Sequence, residues 1–258
     1  MTGTSLPHQF SASPHHEARK NGLRPNILLL HYTDMVSADA ARTWLCAAES
    51  RVSCHYLVDE AGKITQMVDE ECRAWHAGAS NWRGLDDINS ASIGIEVHNV
   101  GHKAGYPAFP AVQMHGVIAL CQDICRRHDI RPERVLAHSD VAPGRKIDPG
   151  EKFDWQLLHE QGVGHWVAPT AIGGGTFLQE GDQGDAVAAL QTALQLYGYG
   201  IEVSGRFDSR CRQVVEAFQR HFRPLLVDGV ADQSTIETLF RLASTVPLAS
   251  SVKPSDIV

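Results

Sequence analysis

The chain has 258 residues, 43% apolar and 21% charged, with a formal net charge of −7. This is the composition of an ordinary globular protein of one large or two smaller domains. The negative balance argues against a basic surface for nucleic acid, and no window reaches the ~20 apolar residues that a membrane helix needs.

Residues 1–23 are polar, carry His8, His15, His16, Arg19 and Lys20, and read as a flexible arm without the apolar core of a secretory signal. The six cysteines (Cys46, Cys54, Cys72, Cys121, Cys125 and Cys211) show no CxxC spacing, and most fall in apolar periodic segments. That usage fits buried thiols in a reducing compartment.

Asn26–Thr33 is a short apolar run after Arg24-Pro25 and predicts a buried strand with His31 at its polar end. Ser37 caps a predicted helix whose stripe is Ala41, Trp44, Leu45 and Ala48. Val52–Val58 and Lys63–Val68 flank the turn Asp59–Gly62, a hairpin signal. Ala74–Leu85, aromatic and glycine-rich, reads as an ordered loop, and Ser92–Asn99 as a strand interrupted at Gly94. Met114, Val117, Ile118, Cys121, Ile124 and Cys125 repeat at three and four, predicting a helix from Pro110 to Ile130, ended by Arg131-Pro132. Val135–Ala137 is a last strand that delivers His138, and the following segment to Gly150 holds too much Pro and Gly for a helix. Strands interleaved with helices give an α/β fold, a mixed central sheet flanked by helices.

Residues 169–176 have linker composition. Beyond them, residues 177–245 predict a small all-α domain of three helices. Val187, Leu190, Leu194 and Tyr197 face inward on the first helix, Val214, Val215, Phe218 and Phe222 on the second, and Ile236, Leu239 and Phe240 on the third. Asp208 and Asp232 are expected N-caps, and Val203–Asp208 and Val227–Asp232 form a weak 24-residue repeat. Residues 246–258 read as a flexible tail.

The chemistry concentrates in His138-Ser-Asp-Val-Ala-Pro-Gly-Arg-Lys146-Ile-Asp148-Pro-Gly150. With His31 this offers two imidazoles and a carboxylate, a zinc donor set that leaves a fourth position open. Alternatively, the segment is a polar surface loop and His31 a strand cap. Glu96 lies in an otherwise apolar strand, as a general base or as a salt-bridged carboxylate. Lys146 is either an oxyanion stabiliser or a solvated lysine. His98 and His102 read as non-ligands, His98 supporting the site or touching substrate, and His55 as structural. There is no HExxH, P-loop, GxSxG or GxGxxG signature.

His31-Tyr-Thr, Trp75-His76-Ala-Gly78, Ser92-Ile-Gly-Ile-Glu96 and the 138–150 segment together resemble the zinc-dependent N-acetylmuramoyl-L-alanine amidases of the AmpD/AmiD type. These are relatives of phage-type amidases and peptidoglycan recognition proteins. The resemblance covers about residues 24–160, within a catalytic domain placed at 24–168. It implies Zn²⁺ on His31, His138 and Asp148, Glu96 as catalytic base, Lys146 on the oxyanion, and His76, Trp82 and Asn89 lining the groove. Residues 177–242 resemble the three-helix peptidoglycan-binding domain of cell-wall hydrolases, through Asp182–Leu194 and Gly205–Asp208. Some relatives carry a tyrosine facing the metal where this chain has Cys54, so that role does not transfer.

The implied reaction cleaves the amide between (1,6-anhydro-)N-acetylmuramic acid and L-alanine, on peptidoglycan or soluble muropeptides, with no protein partner implied. A non-catalytic muropeptide-binding protein and a zinc peptidase acting within the stem peptide are the alternatives. The absent leader and the cysteines favour the cytoplasm; the wall-binding resemblance favours a periplasmic or wall-associated location.

Overall fold

The computed structural model describes residues 3–246. In chain order its elements are β1 (His8–Phe10), β2 (His16–Ala18), β3 (Ile27–Tyr32), α1 (Ala38–Cys46), β4 (Tyr56–Val58), β5 (Ile64–Gln66) and β6 (Cys72–Ala74). Then come α2 (Ile88–Ala91), β7 (Ser92–Val97), α3 (Ala111–His128), β8 (Val135–Ala137), α4 (His138–Val141) and α5 (Trp155–Glu160). The chain ends with α6 (Asp185–Tyr197), α7 (Ser209–Phe222) and α8 (Gln233–Thr245). The tail expected beyond Val246 lies outside the described residues.

Six strands form a mixed sheet in the order β1-β5-β4-β7-β3-β8, in which only the β4–β5 hairpin is antiparallel. Strand β3 is buried on both faces because helices cover both. Alternation sends Leu28, Leu30 and Tyr32 towards α3, where they join Ile93, Ile95 and Val97 of β7 and Val117, Cys121 and Ile124 of the helix. Each such fully buried aliphatic contributes about 1.5–3 kcal/mol. Ile27 and Leu29 point to the opposite face. There α1 covers the β4 end, with Ala41 and Leu45 on Cys54 and Leu57.

The rest of that face is covered by the helical domain. Ile27, Leu29 and Leu136 belong to one apolar cluster with Val187, Leu194, Tyr197, Val215 and Phe218. Residues 169–176 form neither helix nor strand, yet the domain they lead into shares a core with the sheet. Asp208 and Asp232 cap α7 and α8 by accepting from the N–H groups of Cys211 and Thr235. Phe240, expected inside, is 48% exposed; Leu239 and Leu242 fill the inner face of α8 instead.

Two further expectations are corrected. The N-terminal arm is ordered: β1 adds to the sheet edge and β2 pairs with β6. The Arg19 guanidinium donates to the carbonyls of Glu70, Ser90 and Ser92. A lone arginine in a polar stretch gives no sequence sign that its fork matches three loop carbonyls. The 138–150 segment does begin with a helical turn, α4, because its first four residues precede the Pro and Gly positions.

Candidate active site

Strand parity builds the site. On the face away from α3, β3 ends in His31, β7 carries Glu96 beside it in register, and β8 runs into His138. Asp148 returns to the same point because the Ser139 N–H donates to its backbone carbonyl at 3.0 Å, closing the loop between them.

His31 Nδ1, His138 Nδ1 and Asp148 Oδ2 form a triangle with edges of 2.9, 3.0 and 3.1 Å. The remaining ring nitrogens fix the tautomers. His138 Nε2–H donates to the Ala77 carbonyl at 2.9 Å, so its Nδ1 presents a lone pair. A relay of donors runs from His31 Nε2 to His76 Nδ1 (3.0 Å), from His76 Nε2 to Ser92 Oγ (3.3 Å), and from Ser92 Oγ to the Ile88 carbonyl (2.6 Å). His31 Nδ1 is then also a bare lone pair. Burial, and next the adjacent His138, hold the His31 imidazole down to about 4, hence neutral. Three buried acceptors facing one point repel unless a cation sits among them. The residues fit a metal, and two imidazoles with one carboxylate is a zinc-type donor set, ligands lying ~2 Å from the ion.

A cleft of about 500 Å³ opens over the triad, lined by Glu96, His76, Trp44, Trp75, Lys146 and Arg145 among others. Burial, then Asp148, pushes the Glu96 carboxyl well above its ordinary value, with Lys146 opposing, and Glu96 Oε2 is buried without a hydrogen-bond partner among the described residues. Arg145 donates to the Ala77 and Ala79 carbonyls, fixing the loop that holds His138.

His31, His138, Asp148, Glu96, Lys146 and His76 thus meet at one cleft, whereas Trp82 and Asn89 do not line it. The Trp82 ring is buried edge-on against Tyr197 and Tyr199 of the helical domain. An indole of that size serves as well between domains as in a groove, and the sequence does not distinguish the two. Asn89 is buried beneath the loop, its Oδ1 accepting from the N–H groups of His76 and Ala77. His98 is turned to Thr33 and Glu60, and His102 to Tyr32 and Glu151. The Cys54 thiol is buried against Met67, and burial pushes it well above its ordinary value. Gly94 was legible as an interruption but not as a cause: it makes room for the His76 ring.

Residues 21–151 match the family described as N-acetylmuramoyl-L-alanine amidase, and residues 183–239 match a peptidoglycan-binding domain family. The chain belongs to the N-acetylmuramoyl-L-alanine amidase family. It is similar to the amidase AmiD of Escherichia coli K12, 41% identical over 228 residues that cover 82% of this chain and 80% of that protein. The AmpD amidase of Enterobacter cloacae is 29% identical over 164 residues, covering 57% and 86%. The structure of AmiD from E. coli with its substrate anhydro-N-acetylmuramic acid-L-Ala-D-γ-Glu-L-Lys superposes with a TM-score of 0.75 at 36% identity, covering 90% of this chain and 93% of that one. AmpDh3 of Pseudomonas aeruginosa gives 0.71 at 29% identity, covering 96% and 99%. The protein is therefore an amide hydrolase of a metal-dependent family, carrying a peptidoglycan-binding domain. Among the described residues no helix is long and apolar enough to cross a membrane.

Proposed function

We propose that this amidase uses Zn²⁺, held by His31, His138 and Asp148, to hydrolyse the bond between N-acetylmuramic acid, or its 1,6-anhydro form, and L-alanine of the stem peptide. The observation that carries this is the triangle of three bare acceptor atoms beneath an open cleft. Zinc bound there supplies Lewis acidity towards the amide carbonyl and acidifies water. Glu96 takes the proton of the attacking water at its partnerless Oε2 and returns it to the leaving amine; its raised affinity for a proton suits both steps. Lys146 lines the cleft and offsets charge developing on the carbonyl oxygen. His76 orients His31 through the Nε2–Nδ1 bond. The AmiD and AmpDh3 structures with anhydromuropeptides support a muropeptide as substrate, and the C-terminal domain supports access to polymeric wall. Six free thiols support a reducing compartment.

The test is mass spectrometry of the products from an anhydromuropeptide with the zinc-loaded protein. Free anhydromuramic acid and intact stem peptide are expected. A shortened stem peptide would mean a peptidase, and no product would refute the assignment. Glu96→Gln should keep stoichiometric zinc and lose about 10²–10⁴-fold in kcat.

A further inference from the structure

Asp140 lies two residues past His138, fully buried, and has no part in the chemistry above. Its Oδ2 accepts from the Ala137 N–H at 2.8 Å and from His221 Nδ1–H at 2.7 Å, and its Oδ1 accepts from the Tyr199 hydroxyl at 2.7 Å. One of these bonds belongs to the turn that carries the metal ligand; the other two come from the helical domain. The His221 ring is held in place by stacking on Trp155 and on Phe222, at 3.8 Å in each case.

Helix α7 touches the same loop twice more. Arg210 donates to the Pro143 carbonyl at 2.8 Å, and the Gln213 side chain lies so close to Gly144 that a Cβ there would meet it at 2.2 Å. The turn in question also holds the second end of the loop, through the Ser139 N–H on the Asp148 carbonyl. A domain that served only to carry the enzyme to its wall would need a surface contact. It would not need buried hydrogen bonds to the inside of a metal-binding loop, which cost desolvation and fix geometry in return.

We propose that Asp140, gripped by Tyr199 and His221, is a positioning residue through which the helical domain holds the His138 turn in its metal-binding geometry. The domain then supports metal retention and turnover on any substrate, whether or not that substrate is attached to wall. This rests on the reading of His31, His138 and Asp148 as the metal ligands.

The experiment compares full-length wild type, His221→Leu, His221→Asn and Tyr199→Phe. Zinc affinity is read by chelator competition, geometry by the visible spectrum of the Co²⁺ form, and kcat and KM on a soluble anhydromuropeptide. His221→Leu leaves a buried Asp140 oxygen without its domain partner and should weaken zinc about tenfold, the loss typical of a group supporting a ligand. Its Co²⁺ bands should shift and its kcat should fall with KM unchanged. His221→Asn, which restores a donor at the place of Nδ1, should return affinity to within about threefold of wild type. Zinc affinity and Co²⁺ bands in His221→Leu within twofold of wild type, even with a lower melting temperature, would overturn the proposal. If His221→Leu shows no cooperative melt, Tyr199→Phe decides: a loss of about threefold supports the clamp, and wild-type affinity with wild-type bands overturns it. Wild type that binds no zinc would overturn the ligand assignment itself and the clamp with it.

Discussion

A methyl group at Gly94 has nowhere to go. A Cβ there would lie 2.6 Å from Cε1 and Nδ1 of His76 and 2.7 Å from its Cγ. The ring cannot step back without breaking its bonds to His31 Nε2 and Ser92 Oγ. On the other side the Gly94 N–H is committed to His55 Nδ1 at 2.9 Å, which resists a shift of the strand. Forcing one methyl into such packing costs about 1–3 kcal/mol. On the proposal that His31 is a zinc ligand, oriented by His76, Gly94→Ala should also weaken zinc by about 10–100-fold. Urea unfolding of the chelated protein reads the first quantity and chelator competition the second. The double variant Gly94→Ala/His76→Ala supplies the control, because removing the ring removes the three atoms nearest the added methyl. The two substitutions should then be strongly non-additive, coupled by about 1–3 kcal/mol. Additivity within ~0.5 kcal/mol, or wild-type zinc affinity in Gly94→Ala, would refute the steric chain from Gly94 through His76 to His31.

Trp82→Ala should cost about 3–5 kcal/mol in urea unfolding, because the indole fills the seam between the two domains. Its KM should not change; a raised KM at full stability would put the ring back in the groove. Phe240→Ser, on the exposed side of α8, should stay within ~0.5 kcal/mol of wild type, and a larger loss would mean the ring is covered. The chelated protein should lose stability on acidification. Burial holds His31 down to about 4 and His55 to about 3, both below the unfolded value of 6.5, so the unfolded chain binds more protons as the pH falls from 6.5. Stability is complete above that value and declines through the folded values, by about 2 kcal/mol per histidine at pH 5. Glu96, shifted upward, works in the opposite sense as the pH rises. A flat urea midpoint between pH 7 and 5 would contradict the neutral assignment of both imidazoles.

Strands β3, β4, β5, β7 and β8, α3 and the three C-terminal helices were readable because each rests on a local apolar pattern, and α7 and α8 on a local cap as well. Leu28 and Leu30 announce a strand, and Asp208 and Asp232 announce helix starts, without reference to anything distant. The proposed metal ligands were readable because His31 and His138 lie at the ends of strands that converge on one face, and Asp148 follows His138 within one short Pro- and Gly-containing loop. What stayed hidden depends on long-range fit. Trp82 and Asn89 have side chains suited to a groove, yet one fills a seam and the other braces a loop from below. Phe240 satisfies the helical period but sits at its margin, where a step of one residue, about 100° around the helix, decides exposure. The clamp on Asp140 joins residues 59 and 81 positions apart, which no pattern within either segment reveals.

The Arg19 fork bears on how small this enzyme can be made. The amidase-family match begins at residue 21, so a fragment cut to it discards β1, β2 and the guanidinium together. Left behind would be the carbonyls of Glu70, Ser90 and Ser92 without the Arg19 donor, and β5 as a bare sheet edge. Unmatched polar groups and an open edge favour pairing with other chains over a soluble monomer. Cutting at residue 151 would in addition strip the helices from the second face of β3. The smallest unit that satisfies its own backbone therefore starts with the arm and runs through the helical domain: in this protein the working enzyme is larger than the family's signature.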